Sequence, residues 1–279
     1  MNKSVITISD LSLDEIGQIF EMADQADRLA FSNTAGLSAC YSFEGNSIRT
    51  RATFIKALYD LNISPVEAPN LLKTKEAVHH LAGYLDNWFD LYIIRDRNHK
   101  RLASFSKSTH KPTINAMTSE AHPCEVLADV YSVMKEKGDV GSLKYCVMGP
   151  PTNVLKSWQR VGNELGLNLV HVLPPEYMSE APPEGKVTKS KSEGLKDADV
   201  ILTDAWPPDF DDKSFQLTRR DLESAKPDAW VIPCPPFNVE NEIHQDVIES
   251  AYFAGYSQKQ VLYPVQKALI YYLLSEAAD

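Results

Sequence analysis

Apolar and polar positions alternate along this chain on two periods. Ser12-Leu13-Asp14-Glu15 has the form of a capping box, and the residues after it carry apolar side chains at helical spacing to about Ala30. Short apolar runs then alternate with helical patterns: a strand over Leu37–Phe43, a helix to Leu61, a helix near Glu76–Asn87 and a strand over Phe89–Ile94. Pro123–Lys137 predicts a long helix, with proline near its start, where a missing N–H costs nothing, and Gly138 past its end. A second series places strands at Leu143–Met148, Leu167–Val172, Val200–Thr203 and Ala229–Ile232, and Val265–Ala277 predicts a closing helix. Strands alternating with helices predict an α/β fold of two domains, each with a mostly parallel sheet flanked by helices. The junction falls near His122–Gly138. Pro174–Lys196, rich in Pro, Lys, Ser and Glu, reads as a solvated or mobile loop.

Composition narrows the classes. At 279 residues there is enough chain for two small domains, and the hydrophobic (43%) and charged (24%) fractions are those of a soluble globular protein. A formal charge of −10 disfavours nucleic acid as a partner, and an anionic ligand must be drawn into a local positive pocket against the overall field. No apolar stretch approaches a membrane span, and Met1-Asn2-Lys3-Ser4 does not begin a signal peptide. Cys40, Cys124, Cys146 and Cys234 are widely spaced with no Cys-x-x-Cys pair, which fits reduced thiols better than disulfides or structural zinc. The expectation is a soluble cytoplasmic protein without nucleic-acid or membrane partners.

The densest candidate chemistry is Ser47-Ile48-Arg49-Thr50-Arg51, between the first strand and a helical run. Hydroxyls and a guanidinium at a strand-to-helix turn can cradle an anion, because the helix start offers unpaired N–H groups and the arginine fork matches phosphate oxygens. The same pentapeptide also suits an ordinary capped helix. Arg95 ends Asp90-Leu91-Tyr92-Ile93-Ile94, at the strand end where ligands of open α/β sheets collect. Met148-Gly149-Pro150-Pro151-Thr152 is too poor in glycine for a dinucleotide fingerprint.

With His122-Pro123-Cys124-Glu125-Val126-Leu127-Ala128-Asp129, Thr203-Asp204-Ala205-Trp206 and Pro233-Cys234-Pro235-Pro236, the pentapeptide forms an ordered set that resembles the aspartate/ornithine carbamoyltransferase family, from about Asp10 to the last helix. The family motifs are Ser-Thr-Arg-Thr-Arg, His-Pro-x-Gln-x-Leu-x-Asp and, in the ornithine branch, Asp-Val-Trp and His-Cys-Leu-Pro. The resemblance implies a carbamoyl-phosphate domain over 1–121, completed by a C-terminal helix over 262–279, and an amine-binding domain over 122–261, with catalysis in the cleft between them. Carbamoyl phosphate would be held by Ser47, Ile48, Arg49, Thr50, Arg95, His122 and Glu125, with Arg49, Arg95 and His122 catalytic. Asn153, Asp204 and Cys234 would hold the amine substrate, Arg51 would make a structural ion pair, and no metal or organic cofactor is expected. Lys73 and Lys75 sit where the family has a loop that reaches a neighbouring subunit, which implies a homotrimer; an ordinary charged helix start explains them equally.

Four departures mark this chain. Ile48 replaces the family's threonine and Glu125 its glutamine, so one hydroxyl is lost and one carboxamide becomes an acceptor-only carboxylate. Pro207-Pro208-Asp209-Phe210 stands where the ornithine branch has a Ser-Met-Gly loop, and Leu262 and its neighbours lack the family's late arginine, for which Lys259 is a candidate substitute. Carbamoyl transfer to an amine is the expectation. A catalytically inert paralogue acting in binding or assembly is the alternative, and an enzyme for another small phosphorylated or carboxylated ligand is a third reading.

Overall fold

The computed structural model describes residues 3–32, 36–183 and 185–276. It divides into two compact units, Met1–Tyr131 with Val261–Asp279, and Ser132–Gln260.

In the first unit α1 (Leu13–Asp24) opens on the expected capping box: Ser12 Oγ accepts from Glu15 N at 3.3 Å and Glu15 Oε2 accepts from Ser12 N at 2.7 Å. The helix buries Ile16, Ile19, Phe20 and Ala23 and stops short of Ala30. Gln25 leaves helical geometry (φ −114, ψ 21), and the chain tightens into a 3₁₀ turn over Ala26–Arg28. There follow β1 (Ser38–Phe43), α2 (Ile48–Asp60), β2 (Ser64–Glu67), α3 (Val78–Leu85), β3 (Leu91–Arg95), α4 (His99–Ser108) and β4 (Thr113–Met117). The strands form a parallel four-stranded sheet in the order β2-β1-β3-β4, and Val5 bridges to Ile114 beyond β4. Leu91, Tyr92, Ile93 and Ile94 are all buried, as a central parallel strand covered on both faces requires. β2, α4 and β4 are finds of the structure: β2 is a short edge strand interrupted by Pro65, which leaves little apolar pattern to read.

The helix α5 (Pro123–Lys137) has the predicted bounds, with Gly138 at φ +80 behind it, and the division between the units falls inside it. The second unit continues with β5 (Lys144–Met148), α6 (Asn153–Glu164), β6 (Asn168–Val172), β7 (Lys186–Thr188), α7 (Lys191–Leu195), β8 (Val200–Thr203), β9 (Trp230–Pro233), α8 (Gln245–Ile248) and α9 (Gly255–Gln258). Its parallel sheet runs β7-β6-β5-β8-β9. The expectation of a solvated loop over Pro174–Lys196 is corrected here. That stretch carries edge strand β7, paired with β6, and α7, whose Leu195 is fully buried. α7 can lie close to the sheet because Gly194 has no side chain: a Cβ there would stand 2.1 Å from Val172 Cγ2.

The closing helix α10 (Leu262–Glu276) returns to the first unit and packs on α1 and α2, burying Val265, Ala268, Leu269, Ile270 and Leu273. Its expected last residue, Ala277, lies outside the described residues, as do Met1 and Asn2. No helix among the described residues is long and apolar enough to cross a membrane.

Candidate active site

In the first sheet the chain leaves β1 through α2 toward β2 on one flank, while β3 lies on the other. The connections therefore diverge between β1 and β3, which opens a crevice at the carboxyl ends of the strands. Register pairs Phe43 with Arg95 and Arg95 with Met117, so the segments after β1, β3 and β4 emerge along the same edge. The sheet thus brings Ser47–Thr50, Arg95 and the approach to His122 to one end of this unit.

Ser47 is the N-cap of α2 in the left-handed region, at φ 40 and ψ 41, which costs a non-glycine residue about 1–2 kcal/mol. Its side chain caps nothing, and its Oγ is buried without a hydrogen-bond partner among the described residues. The helix start thus holds a strained residue, an orphaned hydroxyl and the positive end of the dipole. Arg49 is exposed and its guanidinium makes no hydrogen bond or ion pair among the described residues. Thr50 is buried, whereas Ile48 is 72% exposed at the rim. Arg51 is spent on structure: it donates to Phe43 O at 3.3 Å, pairs with Glu67 at 3.6 Å and lies over the Phe43 ring.

The turn after β4 is tied by Thr118. Its Oγ1 accepts from Ala121 N (3.1 Å) and contacts His99 Nδ1 (2.8 Å), and its N–H donates to Ala121 O (2.8 Å). This delivers His122 to the start of α5, buried, with Nε2 4.0 Å from Glu125 Oε2. Glu125 is itself 4% exposed, so a carboxylate and an imidazole share one enclosed space. Burial, and then the charge of Glu125, push the Cys124 thiol well above its ordinary range.

Beside this edge lies a polar knot that sequence reading did not anticipate. Lys73 Nζ bridges Glu44 Oε1 (3.3 Å) and Asp96 Oδ1 (3.1 Å), residues that directly follow β1 and Arg95. The Arg97 N–H at 2.7 Å, opposed by partial burial and assisted by Lys73, holds Glu44 below the usual carboxylate range. Arg101 fastens the Lys73 loop by donating to three carbonyls, Leu72 O (2.6 Å), Thr74 O (2.8 Å) and Glu76 O (2.9 Å). Lys73 is therefore engaged within its own chain, while Lys75 is exposed. The only sequence cue was two acids immediately after strand ends.

The second sheet repeats the arrangement. β5 leads through α6 to β6 on one flank and has β8 on the other, so its crevice opens between β5 and β8. Met148 pairs with Thr203 and Thr203 with Pro233, which brings the turn to Asn153, the loop from Asp204 and the segment from Cys234 to one edge. Thr152 caps α6 by accepting from Leu155 N, and Asn153 Oδ1 accepts from Val154 N at 3.0 Å. Cys234 is 7% exposed with its thiol on Pro235 O. Thr203 Oγ1 is buried without a partner among the described residues. The loop Pro207–Phe210 is rooted by Phe210, which stacks edge-on against Trp206 (4.8 Å) and Tyr177 (5.8 Å). His171, absent from the sequence reading, is 1% exposed and bonded through both ring nitrogens, to Gly149 O and to Gln159.

Two α/β units, each with a parallel sheet and a crevice at its switch point, define a two-domain enzyme architecture. Residues 3–135 match the model of the aspartate/ornithine carbamoyltransferase carbamoyl-P binding domain, and residues 142–273 that of the family's Asp/Orn binding domain. The chain belongs to the aspartate/ornithine carbamoyltransferase family, a family of carbamoyl-group transferases. It is 29% identical to the ornithine carbamoyltransferase of Methanoculleus marisnigri, over 99% of this chain and 98% of that one. With the Methanocaldococcus jannaschii ornithine carbamoyltransferase it shares 30% identity, covering 85% and 87%. The crystal structure of ornithine carbamoyltransferase from Burkholderia thailandensis superposes with a TM-score of 0.88 at 25% identity, covering 98% of each chain. That from Thermus thermophilus, at 22% identity and a TM-score of 0.88, covering 98% and 99%, matches in fold.

Proposed function

We propose that this protein transfers the carbamoyl group of carbamoyl phosphate to the amine of an amino acid or related amine, releasing phosphate and a ureido product. The observation that carries the reading is the helix start at Ser47, strained, uncapped and with an orphaned hydroxyl, in a domain that matches the family's carbamoyl-P model. In this reading Ser47, Arg49, Thr50 and the N–H of Ile48 grip the phosphate dianion, and Arg95 spans phosphate and carbonyl oxygen. His122 donates to the carbonyl oxygen as the amine lone pair attacks the carbon. The C–O bond to phosphate then breaks, phosphate keeps the electron pair, and the amine proton leaves to phosphate or solvent. Glu125 accepts from the carbamoyl NH₂. The neutral amine lies with the second unit, against Asn153, Asp204 and Cys234. The buried Phe210 in place of a Ser-Met-Gly loop favours an acceptor other than ornithine, since a polar pocket discriminates by the groups it can satisfy. Cytoplasmic location and a homotrimer complete the reading, and sedimentation at three chain masses checks the assembly.

The test is a mass-spectrometric screen for ureido products, with carbamoyl phosphate and a panel of ornithine, acylated ornithines, shorter diamino acids, aspartate and simple diamines. A product missing from the Arg49→Ala control supports the reaction and identifies the acceptor class. Silence with no carbamoyl phosphate bound overturns it in favour of the inert paralogue.

A further inference from the structure

His171 stands in β6 among apolar neighbours, Leu169 and Val172, where a strand of this sheet has no packing need for an imidazole. A histidine in such a place is kept neutral and must be satisfied on both sides. Both sides are satisfied here. Nε2 lies 2.8 Å from Gly149 O, and a carbonyl can only accept, so Nε2 carries the hydrogen. Nδ1 is then a lone pair, and it faces the carboxamide nitrogen of Gln159, which donates. Burial pulls the imidazole down to about 4, so it keeps this neutral tautomer throughout the neutral range.

The recipient of the bond decides its meaning. Gly149 is the first residue past β5 and opens the turn that ends at Asn153. Its φ of +121 is open to glycine and closed to other residues at low cost, and its N–H donates to Val172 O at 3.1 Å. A Cβ on Gly149 would lie 3.6 Å from the indole nitrogen of Trp206. Gly149 is thus held at its N–H by the β6 backbone and at its carbonyl by His171, and it faces the indole of Trp206, two residues after Asp204. One residue thus opens one of the three segments that carry the proposed amine-site residues and lies against a second.

We propose that His171 is a positioning residue for the amine half-site, fixing the Gly149 carbonyl so that the turn to Asn153 and the Asp204–Trp206 loop keep their spacing. This rests on the amine-transfer reading above and adds to it a determinant of acceptor affinity that never touches substrate. Gln159 is the partner that selects the tautomer. Beside Gln159 and His171 lies a cavity of about 140 Å³, also lined by Leu169, Pro182 and Lys186. The Lys186 ammonium is turned to Asn168 Oδ1 at 3.1 Å.

The experiment measures steady-state kinetics for both substrates of the screened reaction in the full chain and in His171→Phe, His171→Asn and Gln159→Glu. His171→Phe is expected to raise KM for the amine about tenfold, leaving KM for carbamoyl phosphate and kcat within about threefold; His171→Asn, which keeps an N–H donor, recovers part of the loss. Gln159→Glu keeps the fold if His171→Phe does not. A carboxylate at 159 accepts rather than donates, so above the imidazolium range the proton moves to Nδ1 and the Gly149 bond is lost. Amine KM in Gln159→Glu then climbs with pH, relative to the wild type, while carbamoyl phosphate KM does not. An amine KM unchanged in His171→Phe, or equal falls in kcat with both KM values constant, overturns the positioning role. A flat pH difference in Gln159→Glu does the same. A wild-type enzyme that makes no ureido product removes the amine reading and this inference together, whereas an active wild type with unresponsive variants removes the inference alone.

Discussion

The two crevices are built on the same topology and prepared in opposite ways. At the first, binding groups are left unspent: Ser47 Oγ has no partner, Arg49 has none among the described residues, and the helix start is uncapped. At the second, Thr203 Oγ1 likewise has no partner among the described residues, but other polar groups are spent on the protein itself. Asn153 Oδ1 accepts from Val154 N, the Gly149 N–H and carbonyl are taken by Val172 and His171, and Phe210 packs against Trp206. A phosphate dianion is a strong, geometrically fixed ligand that can repay stored strain. An amine is weaker and more variable, so its site depends on how rigidly the surrounding loops are held.

The largest expected effect breaks the first side of this comparison. Arg49→Ala should weaken carbamoyl phosphate binding by about 100-fold or more in calorimetry, because a charge-assisted fork is lost, with the melting temperature within about 2 °C. Unchanged affinity would sink the cradle. Acid should then separate the units. His171 is depressed to about 4 in the fold, so the stability tied to its neutral form is complete above its unfolded value near 6.5 and drains as pH falls toward 4, on the order of 3 kcal/mol. In the first unit, burial alone would raise Glu15, but Lys3, Ser12 and Tyr272 outweigh it and bring it down to about 2. Its contribution is intact above about 4.5 and lost only between there and about 2. Tryptophan fluorescence, dominated by Trp158, Trp206 and Trp230 of the second unit, should therefore change at higher pH than the first unit's Trp88 when the latter is isolated by Trp→Phe replacements; coincident transitions would contradict this order.

Gly194→Ala should destabilise the second unit by about 1–3 kcal/mol, because the added methyl meets Val172 Cγ2; a denaturant midpoint equal to wild type would show that α7 can retreat freely. Smallest of all, Ser47→Gly should gain about 1 kcal/mol of stability by relieving the left-handed strain while phosphate affinity falls about three- to tenfold. Lower stability in that variant would mean that Ser47 is held by packing and stores nothing for a ligand.

Much of this was legible before the structure. The α/β fold, both sheets' central strands and the bounds of α5 follow from apolar runs and Pro/Gly punctuation. Of the residues placed at the carboxyl edges, Ser47 to Thr50 and Arg95 were readable because they follow apolar runs, and His122 because of the motif block around Pro123 rather than any strand pattern before it. The β7–α7 segment was hidden by its composition: Lys, Ser and Glu dominate it, and its burial rests on Val187, Gly194 and Leu195, too few positions for a period. The Glu44–Lys73–Asp96 knot and the His171–Gly149 bond were hidden for another reason. Each joins residues more than twenty positions apart, brought together by strand register and, for Lys73, by the loop that Arg101 fastens.

The return of α10 to the first unit has a consequence for how the protein is made. The helix contributes buried residues against α1 and α2, yet it is synthesised after every residue of the second unit. The first unit must therefore wait, with the faces of α1 and α2 uncovered, for about 130 residues of intervening chain to be made before its core can close. Translation speed through the second half of the message thus sets how long that apolar surface stays open to chaperones and to other nascent chains.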